Sequence, residues 1–111
     1  MNVVITLHDE FKRQFRQLSK KYHSLAGDLE TFQRELIANP FQGDDLGGGV
    51  RKIRMAISSK GKGKSGGARV LTLTIAVSDE AEITLLTIYD KNEIDNVSDE
   101  YIKWLVKETQ K

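Results

Sequence analysis

The sequence contains no cysteine, one proline and two histidines among its 111 residues. Without cysteine, the chain cannot form disulfides, thiolate zinc sites or a cysteine nucleophile. The histidines, His8 and His23, fall near the two ends of one predicted helix, and neither has a serine in a recognisable catalytic setting. The acidic groups Asp44-Asp45 and Asp90, Glu93 and Asp95 are better explained by loops and turns than by a cation site. We therefore expect neither a metal nor a cofactor.

Long apolar runs are also absent. No stretch approaches the roughly 20 residues that a membrane span needs, and the N-terminal MNVVITLHDEFKR lacks the charged, apolar and small segments of a signal peptide. A chain of 111 residues is the usual size of one domain. We expect a cytoplasmic protein without a membrane partner, with a single domain over residues 1–111.

Acidic residues are missing between Asp45 and Asp79, although the net charge of the chain is only +1. Seven basic residues occupy that interval: Arg51, Lys52, Arg54, Lys60, Lys62, Lys64 and Arg69. Such segregation of charge favours a polyanionic partner, most often nucleic acid. A solvated basic loop is the alternative interpretation.

Apolar residues at helical spacing predict two consecutive helices in the first part of the chain. The first repeat is Phe11, Phe15, Leu18 and Tyr22, and the second is Leu25, Leu29, Phe32 and Leu36. Asn39-Pro40 ends the second helix because proline cannot continue the hydrogen-bond ladder. Residues 41–49, with three consecutive glycines, are expected to form a loop.

Period-two alternation predicts strands on either side of these helices and after them. The predicted strands are residues 3–7, 50–57, 70–77 and 83–89, and Ser98 is expected to cap a last helix. The order is a strand, a two-helix hairpin, a three-stranded antiparallel meander and a C-terminal helix. This order predicts an α+β fold whose mostly antiparallel sheet has one face packed on helices and the other available to solvent or a ligand.

The segment SSKGKGKSGGARV, residues 58–70, interrupts the meander. Gly63-Lys64-Ser65 resembles the end of a P-loop, but Ser58 occupies the position of the first required glycine, and a strand follows where a helix is needed. The glycines let the backbone approach a phosphate chain, and the lysines supply positive charge. We interpret the segment as a mobile cationic rim of a site.

Arg54, Arg69 and Tyr89 come together if the three strands of the meander are adjacent. Arginine can hold phosphate oxygens with two parallel hydrogen bonds, and tyrosine can stack on a base or transfer a proton. Strict alternation groups Arg69 with Leu71 and Leu73, so a bulge or a frayed strand start is expected to turn it outward.

Such a cluster suits RNA cleavage without a metal. Positive charges stabilise the pentavalent phosphate, and a lysine among other cations has a depressed pKa and could remove the 2′-hydroxyl proton. Arginine cannot do so because it stays protonated. Binding without cleavage is the competing interpretation.

The chain resembles the RelE toxins of bacterial type II toxin–antitoxin systems, within the RelE/ParE superfamily. The resemblance is carried by RKIR (residues 51–54), SKGKGKSGGAR (residues 59–69) and LLTIYDKNE (residues 85–93), in that order. It implies a compact α+β toxin that cuts messenger RNA in the ribosomal A site and is silenced by a cognate antitoxin.

The basic cluster and the resemblance together give a set of site residues. The catalytic candidates are Arg54, Lys62, Arg69, Tyr89 and Lys91, and the RNA-binding candidates are Lys52, Lys60 and Lys64. Arg54 stands where such toxins often have a catalytic lysine, so Lys60, Lys62, Lys64 or Tyr89 would have to act as the base. Two alternatives stay open: a ParE-like poison that binds gyrase, and a catalytically inactive RelE-like binding protein.

Overall fold

The computed structural model describes residues 1–110. Its elements are β1 (Asn2–Leu7), α1 (Asp9–Lys21), α2 (Leu25–Ala38), β2 (Asp44–Gly47), β3 (Val50–Met55), a short 3-10 helix (Ser58–Lys60), β4 (Ala68–Val77), β5 (Glu80–Asp90) and α3 (Asp99–Glu108). Among the described residues, no helix has both the length and the apolar composition to cross a membrane. The α+β fold and the order of the long elements agree with the sequence prediction.

The sheet has five strands in the order β1-β5-β4-β3-β2. The meander of β3, β4 and β5 is antiparallel, as predicted, whereas β1 runs parallel to β5 at one edge, so the sheet is mixed. The expectation of a plain loop over residues 41–49 is wrong in part, because β2 pairs antiparallel with β3. Gly47, Gly48 and Gly49 all have positive φ, which lets the chain turn back between these two strands.

Helices cover both faces of the sheet. The first core lies between the sheet and α1 and α2, and its largest fully buried side chains include Phe11, Leu25 and Leu36. The second core lies under α3 and contains Leu71, Leu73, Leu86 and Leu105. The expectation of one free sheet face is therefore wrong for the part beneath α3. The remaining part of that face carries the candidate site described below.

A buried hydrogen-bond network ties α3 to the start of α1. The Tyr101 hydroxyl donates to Glu10 Oε2 at 2.5 Å, and Arg13 donates to both Glu10 oxygens at 2.9 Å. Burial raises the pKa of Glu10, but hydrogen bonds from Tyr101, Arg13 and Gln14 outweigh it and lower the pKa below its ordinary value of 4.5. Burial and the bond to Glu10 raise the pKa of Tyr101 to about 12. The network therefore favours an ionised Glu10 beside a neutral Tyr101.

Ionisation of Glu10 should make the free energy of unfolding depend on pH in the acidic range. The pKa of Glu10 is lowered on folding. Its ionised carboxylate therefore contributes fully to the free energy of unfolding above pH 4.5, and this contribution is lost as pH falls through the folded pKa. We expect Glu10→Gln to flatten the acid limb of the free energy of unfolding, measured by urea titration at several pH values. Tyr101→Phe, which removes a hydrogen bond to a charged group, should cost about 1.5–3 kcal/mol at pH 7. An unchanged acid limb in Glu10→Gln would contradict this assignment.

Alanine substitutions at two glycines should change the free energy of unfolding in opposite directions. A Cβ on Gly67 would lie 2.2 Å from the Met55 carbonyl oxygen and 3.0 Å from the Ile57 nitrogen, whereas a Cβ on Gly27 in α2 meets nothing within 4 Å. Gly67→Ala should therefore destabilise the protein by about 1–3 kcal/mol through overpacking. Gly27→Ala should stabilise it by about 0.5–1 kcal/mol through helix propensity. The midpoints of urea unfolding should therefore fall for Gly67→Ala and rise for Gly27→Ala relative to the wild type.

Candidate functional site

Arg54, Arg69 and Tyr89 lie side by side across the three central strands. Arg54 of β3 is the register partner of Arg69 of β4, which is in turn the partner of Tyr89 of β5. Directly paired residues project from the same face of a sheet, so the three side chains form one row. The sequence expectation that separate strands bring these residues together agrees with this register.

Arg69 reaches this row without a bulge. It shares its face with Leu71 and Leu73, as strict alternation indicates, and the irregularity between β4 and β5 lies farther along, between Leu71 and Thr72. The expected outward rotation of Arg69 is therefore wrong. Arg69 can share a face with Leu71 and Leu73 because this face is apolar where α3 covers it and cationic where α3 does not.

A cavity of about 280 Å³ opens over the two arginines of this row. Its lining residues are Asp44, Lys52, Arg54, Arg69, Lys91, Asp95 and Asn96. They come from β2, β3, β4 and the segment that follows β5. Four cationic side chains outnumber two carboxylates on its wall, so the cavity favours an anionic ligand.

The Arg69 guanidinium is buried and held by main-chain carbonyls. Arg69 is 8% exposed, and its Nη1 donates to the carbonyls of Lys64 at 3.3 Å and Ala68 at 3.2 Å, while Nη2 donates to that of Ser65 at 3.2 Å. A guanidinium has five N–H groups, which leaves one on Nε and one on Nη2 without an acceptor among the described residues. These two lie on one edge, the geometry that binds phosphate oxygens in pairs.

The other cations of the cavity are less constrained. Arg54 is exposed, and within residues 1–110 its side chain has no hydrogen bond or ion pair. Lys52 Nζ donates to Asn96 Oδ1 at 3.1 Å. Lys91 is exposed, and its backbone N–H donates to the Gly67 carbonyl at 3.2 Å. Mobile cations therefore surround one fixed guanidinium.

The Tyr89 hydroxyl is buried and has no hydrogen-bond partner in the described part of the chain. Tyr89 is 5% exposed and lines a second cavity, also of about 280 Å³, with Asn96, Val97 and Ile102. Lys52 and Asn96 line both cavities. Burial raises the pKa of Tyr89 above its ordinary value of 10.0, against a smaller lowering by the charge of Arg69. The phenol is therefore a proton donor near neutral pH and a poor base.

The glycine-spaced lysines do not line the cationic cavity. Lys60 forms a buried ion pair with Asp90, at 2.8 Å, on the opposite face of the sheet. Lys64 pairs with Glu35 of α2 at 3.0 Å. Lys62 is exposed and has no interaction within the described residues. The side chains of all three therefore lie outside the cavity that Arg54 and Arg69 line, and their roles in RNA cleavage or binding stay predictions.

The loop that carries these lysines is fastened at both ends by hydrogen bonds, and its interpretation as a mobile rim stays a prediction for the exposed residues between them. At its start, Asp28 of α2 accepts hydrogen bonds from the Ser58 nitrogen, at 2.9 Å, and from the Ser58 hydroxyl. At its end, Arg69 binds the Lys64 and Ser65 carbonyls. The loop thus serves to hold Arg69, a function that its composition does not reveal.

Sequence reasoning missed three residues of the cavity wall: Asp44, Asp95 and Asn96. The sequence predicts a loop at Asp44, but this residue belongs to β2 and lies opposite Lys52. Asp95 and Asn96 follow β5 in a segment without regular structure. No periodicity marks these residues, because their place depends on how the chain returns across the sheet. In residues 1–110, no three histidine, aspartate or glutamate side chains are arranged to hold a metal ion.

Comparison with known protein families gives a match over nearly the whole chain. The matching family is described as the RelE toxin of the RelE / RelB toxin–antitoxin system, and the match covers residues 7–111. It spans every element from the start of α1 to the end of α3, including the row of Arg54, Arg69 and Tyr89. The chain therefore belongs to the RelE toxin family and is a toxin of a toxin–antitoxin system.

Proposed function

We propose that this toxin is a ribosome-dependent endoribonuclease that cuts messenger RNA in the A site without a metal. The observation that carries the proposal is the row of Arg54, Arg69 and Tyr89, in which both arginines line a cationic cavity and Tyr89 lines the cavity beside it. Its other partners would be the ribosome, the message and the antitoxin that its family implies. A cytoplasmic location follows from these partners.

The two arginines suit the stabilisation of a pentavalent phosphate. Because Arg69 is already held by three carbonyls, its free Nε and Nη2 edge needs little reorganisation to receive two phosphate oxygens. Arg54, the register partner of Arg69, adds a second cation that can adapt to the bound chain. Preorganised charge of this kind usually contributes more to catalysis than any other single effect.

The reaction needs a base and an acid. The 2′-hydroxyl gives its proton to the base as its oxygen attacks phosphorus, and the 5′-oxygen accepts a proton as its bond to phosphorus breaks. This leaves a 2′,3′-cyclic phosphate and a 5′-hydroxyl. Tyr89 suits the role of acid because its raised pKa keeps the phenol protonated at neutral pH.

Four groups on the cavity wall can serve as the base: the amines of Lys52 and Lys91 and the carboxylates of Asp44 and Asp95. The arginines cannot, because they stay protonated. A carboxylate base predicts a rate that falls only in acid, whereas an amine base predicts a rate that rises towards alkaline pH. The pH–rate profile therefore separates the two classes.

Replacing Arg54 tests the site with little structural disturbance. Arg54→Ala removes an exposed charge without an intramolecular partner among the described residues, so stability should stay within about 0.5 kcal/mol of the wild type. Loss of one stabilising group should lower the cleavage rate about 10²–10³-fold. The rate is measured by primer extension on messages bound in ribosomal complexes.

Arg16→Ala is the matched control, because Arg16 is an exposed arginine on α1, outside the cavity. It should cleave at the wild-type rate. Equal rates for Arg54→Ala and wild type would contradict the proposal. Wild-type arrest of growth with intact messages and a DNA-damage response would favour the gyrase-poison alternative, and an absence of arrest would favour an inactive binding protein.

Tyr89→Phe should separate activity from stability. Removing a buried hydroxyl that lacks a partner in the described part of the chain should leave the free energy of unfolding unchanged or raise it by about 1 kcal/mol. Loss of the proton donor should lower the cleavage rate about 10²–10⁴-fold. Thermal unfolding and the ribosomal assay measure the two effects, and a fully active Tyr89→Phe variant would remove Tyr89 from the mechanism.

A further inference from the structure

A buried carboxylate lies behind the candidate site, on the other face of the sheet. Asp90 ends β5, directly after Tyr89, and is 1% exposed. It is the register partner of Ala68, which belongs to the core beneath α1 and α2. Its side chain therefore cannot touch RNA bound over Arg54 and Arg69.

Asp90 accepts hydrogen bonds from three separate segments. Oδ1 accepts from Lys60 Nζ at 2.8 Å and from the Asn92 nitrogen at 3.0 Å, and Oδ2 accepts from the Tyr22 hydroxyl at 2.5 Å. Burial raises the pKa of Asp90, but the bonds from Lys60, Tyr22 and Asn92 outweigh it and lower the pKa. The carboxylate is thus ionised, and both of its oxygens accept hydrogen bonds.

Two of these partners begin the segments that flank the site. Lys60 ends the 3-10 helix and opens the loop whose carbonyls hold Arg69. Asn92 lies in the segment after β5 that contributes Lys91, Asp95 and Asn96 to the cavity. The third partner, Tyr22, is the C-cap of α1 and provides a fixed anchor.

We propose that Asp90 is a positioning residue: through Lys60 and Asn92 it sets the loop that holds Arg69 and the segment that covers Tyr89. This inference rests on the proposed cleavage activity. It also gives Lys60 a different role from the RNA contact that the sequence suggested. The ion pair of Lys60 and Asp90 stabilises the site from the opposite face of the sheet, and the Lys60 ammonium does not contact the messenger RNA.

A buried ion pair of this kind is costly to break on one side, since the remaining charge is left without a partner. Its loss should release both flanking segments together and misplace the phosphate-binding edge of Arg69. Misplacement by about 1 Å can lower an enzymatic rate about 100-fold. The effect should fall on the rate constant kcat, because the cations that attract RNA stay in place.

The test compares Asp90→Asn and Lys60→Met with Lys21→Met, a control that breaks an exposed ion pair with Glu93 of the segment after β5. We expect the first two to lower kcat of ribosomal cleavage about 10- to 100-fold, with KM and antitoxin affinity within about twofold of wild type. Lys21→Met should behave as wild type. Lys60→Arg, which restores the ion pair, should recover most of the rate.

Salt dependence separates positioning from direct contact. A lysine that binds a phosphate lowers the slope of log K against log salt by about 0.7–0.9 when it is removed. The slope for RNA binding should be unchanged in Lys60→Met and reduced in Lys52→Met. A reduced slope in Lys60→Met, or unchanged kcat in both Lys60→Met and Asp90→Asn, would overturn the proposal.

A readout without cleavage keeps this inference distinct from the proposed function. In the free protein, the Arg69 Nε–H and Tyr89 ¹³Cζ resonances should shift in Asp90→Asn and stay in place in Lys21→Met. With only three tyrosines in the chain, Tyr→Phe variants assign the signals. A wild type that cuts no message refutes the proposed function, whereas unmoved resonances in Asp90→Asn refute the positioning role. Rate losses that merely parallel the unfolded fraction also refute it.

Discussion

The register of the three central strands is the constraint on which the site depends. Because side chains alternate between faces, a slip of one residue between β3 and β4 would send Arg54 or Arg69 into the core beneath α1 and α2. The correct register pairs two arginines directly, which is unfavourable because like charges repel. The carbonyls around Arg69 offset part of this repulsion. An anionic ligand would neutralise the remaining repulsion between the two arginines. The pairing therefore lowers the stability of the free protein and would favour binding of an anion.

The two faces of the sheet carry charged residues of two kinds: cations that line the open cavity and an ion pair in the interior. On one face, Lys52, Arg54 and Lys91 keep their charges near solvent and available to a ligand. On the other face, Lys60 and Asp90 neutralise each other in the interior. Burial, rather than residue type, decides which lysine lines the open cavity and which lysine is paired in the interior.

The sequence is sufficient for the features set by local periodicity. The two helical repeats, the alternation in β3 and the apolar run of β4 each report on a few neighbouring residues, and the predicted order of these elements is correct. The row of Arg54, Arg69 and Tyr89 can also be anticipated, because a meander brings consecutive strands together. Membership of the RelE toxin family is recognisable from the same segments.

The features that the sequence leaves open depend on contacts between distant residues. Nothing near Lys60 indicates that its partner is Asp90, thirty positions later, and nothing near Asp44 indicates that it pairs as a strand with Lys52. The error over the face of Arg69 has a simpler reason. The alternation itself is correct, but α3 covers only part of the sheet face, so apolar and cationic residues share one side.

The parallel pairing of β1 with β5 has a consequence for synthesis of the chain. Asn2 finds its partner in Glu80, a separation of 78 residues. At the usual rate of translation, about 5–20 residues per second, the first strand waits about 4–16 s before its partner exists. The nascent toxin therefore has an unsatisfied strand edge and no assembled site during that interval. The row of Arg54, Arg69 and Tyr89 can be completed only after β5 has been synthesised, so a nascent chain that ends before β5 has neither its full sheet nor the assembled row.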